Sequence, residues 1–257
     1  MNTVNAFQHA FRVRGKETRP VISISATSAR NIAAALDWGC MAEIARETAF
    51  YINRVTEEVE LLRDALANHP GRMARRALLF AIATPKRDEQ TSIGWALAAE
   101  SHYGIMDAED LSRLRYVSLT TGNLRSAGLH NALEHSIRDS QALFPTLTLA
   151  DVQPDTLTSI RGVSSKVARM ASAVANPDGE FWTVDMWHAR QLLWASGQDY
   201  VVEVGVSKPA YPILEEIWME YRRRFFPNTP CWIVQWATWN AAQGRHESHC
   251  ALWRDLA

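Results

Sequence analysis

The sequence predicts an all-α protein, and three observations support that class. From residue 27 onward, apolar side chains recur at spacings of three and four, the period of a buried helix face. The sequence has no alternation of strand and helix patterns, no internal repeat and no low-complexity stretch. Hydrophobic residues make up 47% of the 257 residues and charged residues 21%, which is enough for one large core or two small ones.

Breaker and capping residues set the expected helix boundaries. Thr27 or Ser28 caps a first helix to about Leu36, and a helix over 41–68 ends at His69-Pro70-Gly71. Residues 1–25 are expected to be irregular or weakly extended, with a brief alternation over 21–24. The other predicted helices cover 72–83, 89–103, 108–116, 123–143, 209–226 and a last segment from Pro230 to Gly244.

The helices are expected to form two lobes from four segments. Residues 1–70 form an N-terminal extension with helices that pack with the C-terminal lobe, and residues 71–150 form a helical lobe. Residues 151–200 carry a helical hairpin and a key aspartate, and residues 201–257 complete the second lobe.

Charge and cysteine content exclude several classes of protein. The net charge is −1, so any contact with nucleic acid must depend on local basic clusters. Cys40, Cys231 and Cys250 are far apart and lack a CxxC spacing, which argues against a disulfide framework or a zinc site. The sequence has neither an apolar run of about 18 residues nor a signal-peptide core. We therefore expect a cytoplasmic protein without a membrane partner, bound metal or cofactor.

The segment LTSIRGVSSKVARMASAVA, over 157–175, predicts two helices joined by a tight turn. Gly162 permits the turn, and the unpaired N–H groups at the start of the second helix can bind a phosphate. Lys166 adds positive charge nearby. The residues predicted to contact DNA are Arg161, Gly162, Val163, Ser164, Ser165 and Arg169. An ordinary helical hairpin is the alternative interpretation.

A second segment, FWTVDMWHAR over 181–190, follows a Pro-Asp-Gly turn. Asp185 is placed to cap a helix from Met186 to about Ser196. Taken alone, an aspartate at that position is better explained by capping than by a chemical role.

Together, IRGVSSKVA (160–168) and VDMWHAR (184–190) resemble the signature of the helix-hairpin-helix DNA glycosylase superfamily, as found in endonuclease III and 8-oxoguanine DNA glycosylase. The catalytic lysine of that superfamily matches Lys166 and its aspartate matches Asp185, 19 residues later. Weaker similarity at 78–91 and 123–129 extends the match over about residues 75–196. Ser164 replaces a hairpin glycine and Met186-Trp187 replaces a threonine–histidine pair, so the branch is divergent.

The resemblance implies a two-lobed helical fold, the HhH-GPD glycosylase fold, with a cleft between the lobes. It also implies that Asp185 stabilises the positive charge that develops on the sugar when the base leaves. Lys166 would attack C1′ and form a Schiff base, which gives AP-lyase activity as well. The alternative role for Lys166 is contact with a phosphate. The chain cannot build the four-cysteine iron–sulfur cluster that many members of the superfamily carry.

A glycosylase must receive a base that has left the stack. The stretch over 232–235 is similar to a C-terminal helix that carries a base-reading glutamine in 8-oxoguanine glycosylases, which makes Gln235 the candidate. Trp187, Trp232 and Trp236 are the candidate aromatic residues of this pocket, with core packing as the alternative for each tryptophan.

The resemblance therefore predicts a monomeric enzyme that excises a modified base from double-stranded DNA, in repair or in antiphage defence. The base would be an oxidised purine or a hypermodified phage pyrimidine such as glucosylated hydroxymethylcytosine. Two alternatives remain open: a phage-type hypermodification enzyme similar to thymine pyrophosphorylases, which keeps the glycosidic bond, and a non-catalytic DNA-binding module.

Overall fold

The computed structural model describes residues 7–14, 17–83, 146–160, 163–198 and 203–244. Within these ranges the fold is predominantly helical, which confirms the main expectation from the sequence. The predicted helices over 89–103, 108–116 and 123–143 lie outside the described residues. None of the described helices is both long and apolar enough to cross a membrane.

The chain divides into two compact units. Unit 1 comprises Met1–Thr56 and Trp182–Glu247, and unit 2 comprises Glu57–Phe181 and Ser248–Ala257. One long helix, Trp38–Asn68, contributes its first part to unit 1 and its last part to unit 2.

Unit 1 combines a small sheet with several helices. Its described elements are β1 (Phe7–Arg14), β2 (Glu17–Ile24), α1 (Ala26–Ala35), the first part of α2 (Trp38–Asn68), α6 (Met186–Ala195), β3 (Glu203–Val206), α7 (Tyr211–Phe225) and α8 (Cys231–Gln243). β2 is the central strand: it pairs antiparallel with β1 and parallel with β3. In the sequence, the alternation over 21–24 indicated part of β2. β3 gave no such signal, because four residues are too few to show a period.

The core of unit 1 is built around stacked aromatic rings. The indoles of Trp182 and Trp218 are parallel, 5.1 Å apart and fully buried. Tyr221 packs edge-on against both rings. Its hydroxyl donates to Thr48 Oγ1 at 3.0 Å, and burial raises the pKa of this phenol far above its ordinary value. The aromatic core thus ties α2 and α7 to the segment that precedes α6.

Unit 2 contains the helical hairpin. Its described elements are the last part of α2, α3 (Pro70–Ala83), a 3₁₀ turn (Leu149–Asp151), α4 (Pro154–Leu157) and α5 (Ser165–Ala175). α5 packs against α3 and α4, burying apolar side chains such as Leu78, Leu157 and Ala171. Arg63 of α2 forms ion pairs with Glu60 and Asp178.

Most of the described helix ends lie close to the positions expected from the sequence. The first helix starts slightly earlier than expected, since Ser25 and not Thr27 or Ser28 provides the N-cap. α2 ends at Asn68 and α3 begins at Pro70, as the breaker residues indicate. α8 follows Pro230 and ends at Gly244, whose φ of 62° suits glycine at a helix C-terminus.

Candidate functional site

The extended segment before Asp185 is held by side chains from α7 and α8. The backbone N–H of Thr183 donates to Gln235 Oε1 at 2.6 Å, and that of Val184 donates to the Tyr211 hydroxyl at 2.8 Å. All four residues are buried. Because buried amides need partners, these two side chains fix the path of the backbone into α6.

Asp185 is the N-cap of α6, as the sequence predicts. Its backbone is extended, with φ −99° and ψ −173°, and Oδ1 accepts hydrogen bonds from the N–H groups of Trp187 at 2.9 Å and His188 at 3.0 Å. These two donors would otherwise be unpaired at the start of the helix. The positive end of the helix dipole also favours a negative charge here.

The other carboxylate oxygen has a partner far along the chain. Trp239 of α8 donates its indole N–H to Asp185 Oδ2 at 2.8 Å. The Asp185 side chain is only 14% exposed, so this contact is shielded from water on most sides. Both oxygens of the carboxylate are thus held in place, by the start of α6 on one side and by α8 on the other.

His188 completes the surroundings of the carboxylate. Its Nδ1 lies 2.9 Å from Asp185 Oδ1, although the ring N–H is not aligned for a hydrogen bond, and its Nε2 lies 3.3 Å from the backbone oxygen of Gln235. The ring packs edge-on against Trp182 and Trp218. The position of His188 therefore depends on the aromatic core and on α8 together.

His188 and Trp239 were not predicted from the sequence as neighbours of Asp185. His188 lies at the third residue of the capped helix, where a side chain returns to the N-cap, so a local signal existed. Trp239 lies 54 residues from Asp185 and carries no local signal.

The candidate base-pocket residues lie mainly on α8. Trp232 and Trp236 are buried, with ring centroids 5.0 Å apart, and Trp236 lies 5.2 Å from Trp239. Gln235 is buried, and its Oε1 accepts the backbone N–H of Thr183. Trp187 is partly buried under the guanidinium of Arg190, at 4.8 Å. The indoles of Trp232, Trp236 and Trp239 therefore form a row along α8, and Trp239 at its end is the partner of Asp185. The base-reading role of Gln235 stays a prediction.

The hairpin lies in unit 2, and part of its turn can be described. Ser164 is the N-cap of α5, and its Oγ accepts the N–H of Val167 at 3.3 Å. This capping role explains how serine can stand where the related signature has glycine. Val163 is buried, so it anchors the turn. Arg161 and Gly162, both predicted to contact DNA, lie outside the described residues.

Two cationic residues follow this turn. Lys166 and Arg169 lie one helical turn apart on α5, and both are partly buried. Ser165, the first residue of the helix, is also partly buried. Two cationic side chains therefore lie in the first two turns of α5, after its N-cap Ser164.

Comparisons of the chain with protein-family models, curated proteins and solved structures give no match.

Proposed function

We propose that the protein is a DNA glycosylase of the helix-hairpin-helix superfamily that excises a modified base from double-stranded DNA. The observation that carries the proposal is the arrangement of Asp185. Its carboxylate caps α6 a short loop after the hairpin of α4 and α5, and its two oxygens accept hydrogen bonds from two backbone amides and an indole. The shared signature and the helical fold support the same assignment.

The chemistry needs a fixed negative charge. When the bond between C1′ and the base breaks, the electron pair leaves with the base and positive charge develops on the sugar. A carboxylate already held in place stabilises that charge without reorganising, which is often the largest contribution to catalysis. Asp185 is held in this way and keeps 14% of its side chain exposed, which leaves it a route to a substrate.

Lys166 is the proposed nucleophile. Its neutral amine attacks C1′ with its lone pair, the base leaves with the electrons of the glycosidic bond and takes up a proton, and the adduct opens to a Schiff base. The phosphate leaves from this intermediate by β-elimination, which cuts the strand. A monofunctional enzyme, in which Lys166 contacts a phosphate, is the alternative within the same proposal.

The remaining site residues have supporting roles. The hairpin would hold a backbone phosphate through the amides at the start of α5, with Arg161, Lys166 and Arg169 adding charge. Gln235 and the indoles of α8 would receive the extruded base. The two units would correspond to the two lobes of a glycosylase, and the protein would act as a monomer. Its substrate would be an oxidised purine or a hypermodified phage pyrimidine.

A non-catalytic DNA-binding module is favoured by one specific observation. Capping alone accounts for the Asp185 contacts with Trp187 and His188, so these bonds do not require catalysis. The bond from Trp239 to the second oxygen is a contact that capping does not explain. A hypermodification enzyme would leave the glycosidic bond intact, so release of the free base distinguishes it from a glycosylase.

A panel of labelled duplexes tests these functions. The panel contains 8-oxoguanine, thymine glycol, uracil, alkylated adenine, hydroxymethylcytosine and its glucosylated form, each analysed on gels with and without alkali. Alkali-dependent cleavage of one duplex, absent with Asp185→Asn, establishes a glycosylase and names its base. Cleavage without alkali that is lost with Lys166→Gln adds lyase activity. Intact strands throughout, with DNA binding retained, would reject the glycosylase in favour of the other two functions.

A further inference from the structure

A surface cavity in unit 1 has no part in the chemistry proposed above. It has a volume of about 480 Å³ and is lined by one face of α2, where Glu43, Arg46, Glu47 and Phe50 follow the spacing of adjacent helical turns. Ile44 of α2, Gln191 and Trp194 of α6, and Ala241 of α8 also line it. The lining includes neither Asp185 nor any other residue of the site proposed above.

The cavity collects exposed aromatic surface. Phe50 is 80% exposed and Trp194 is 39% exposed, and they are the two large apolar side chains that stand out as exposed among the described residues. A single exposed apolar residue is common on protein surfaces. Two of them lining one concavity is the pattern of an interaction site, because covering both rings removes apolar area from water.

The charges that line the cavity indicate which charge a bound group should carry. Arg46 Nη2 lies 3.7 Å from Glu43 Oε1, so these two charges offset one another. Glu47 forms no ion pair within the described part of the chain. The net charge of the lining is therefore negative, which disfavours a phosphate backbone and favours a cationic group.

Gln191 adds a polar group to the lining. Its Oε1 is buried and has no hydrogen-bond partner among the described residues. This unpaired oxygen is the acceptor of the lining that a bound hydrogen-bond donor would satisfy.

We propose that this cavity binds an arginine side chain presented by a partner protein. A guanidinium is planar and stacks on aromatic rings such as Trp194 and Phe50, while its N–H groups donate to the Glu47 carboxylate and the Gln191 amide. A lysine ammonium lacks the planar face. The volume exceeds that of one guanidinium, so the residues flanking the arginine also enter the cavity and cover Phe50.

The test uses the whole protein and three short peptides, acetyl-Ala-Xaa-Ala-amide with Xaa as arginine, citrulline or lysine. The indole N–H signal of Trp194, identified by its loss in Trp194→Phe, is followed by NMR during titration. We expect a saturable shift with the arginine peptide and weaker binding of the other two. Glu47→Gln should weaken arginine binding by about two- to fivefold, the usual range for an exposed ion pair. Glu57→Gln, which removes a carboxylate from α2 outside the cavity, should have no effect.

Several results would overturn the proposal. A Trp194 signal that does not move or does not saturate would show that the cavity binds no arginine side chain. Equal affinity for arginine and citrulline would show that charge plays no part, and equal affinity for lysine would show that the planar group plays none. An equal response of Glu47→Gln and Glu57→Gln would place the binding elsewhere. The outcome does not depend on whether the protein excises bases.

Discussion

Replacement of Asp185 separates its structural role from its chemical one. Asparagine caps a helix as well as aspartate does, so Asp185→Asn should keep the hydrogen bonds to Trp187 and His188. Its NH₂ group, however, would face the indole N–H of Trp239, where two donors meet and no hydrogen bond forms. Asp185→Ala removes both the cap and the acceptor.

The contacts give the expected stability costs. Loss of the cap costs about 1 kcal/mol, and an indole N–H left without an acceptor in a part-buried place costs about 1–2 kcal/mol. Asp185→Asn should therefore lose about 1–2 kcal/mol and Asp185→Ala about 2–3 kcal/mol. For a protein of this size, each 1 kcal/mol lowers the melting temperature by roughly 2–4 °C.

Urea denaturation followed by tryptophan fluorescence measures these costs, because most tryptophans lie in unit 1. Trp239→Phe provides the matched control, since it removes the indole donor and keeps the carboxylate. In the Trp239→Phe background, Asp185→Asn should cost nearly nothing, so the double-mutant cycle should give a coupling of about 1–2 kcal/mol.

The same variants are assayed for base excision. Asp185→Asn should reduce excision at least about 100-fold, as expected for loss of a preorganised charge, while DNA binding persists. Additive costs in the cycle would refute the bond between Trp239 and Asp185 as a stabilising contact. Full excision by a folded Asp185→Asn protein would refute the catalytic role.

Three further variants test the surroundings of this site. Gln235→Leu should cost about 1–3 kcal/mol in urea denaturation, because it strands the buried N–H of Thr183; an unchanged midpoint would contradict that contact. Lys166→Gln should abolish the borohydride-trapped adduct on an abasic duplex, with Lys166→Arg as the charge-matched control; a trapped adduct in both would exclude Lys166 as the nucleophile. Burial raises the pKa of Tyr221, so above about pH 10 the unfolded chain ionises first and stability falls by up to about 1.4 kcal/mol per pH unit. Tyr221→Phe should make that alkaline decline shallower, and an identical pH dependence of its stability would contradict the assignment.

Local signals predicted the described helices well. The cap at Asp185, the break between α2 and α3, and the glycine end of α8 each follow from residues within one helical turn. Of the small sheet, β1 and β2 lie in the segment that was expected to be irregular or weakly extended. β3 was missed, because it pairs with a strand far away in the sequence and is only four residues long.

For the candidate site, the sequence by itself determined the cap position of Asp185 and the start of α5 after Ser164. It also determined which kinds of side chain lie near these two positions in the chain. Those features depend on backbone geometry within a few residues. Only the tertiary structure decided that Trp239 donates to Asp185, that Gln235 holds the segment before it, and that Phe50 and Trp194 line one cavity. These contacts join residues far apart in the chain, and their geometry depends on how the aromatic core of unit 1 packs α6, α7 and α8 together.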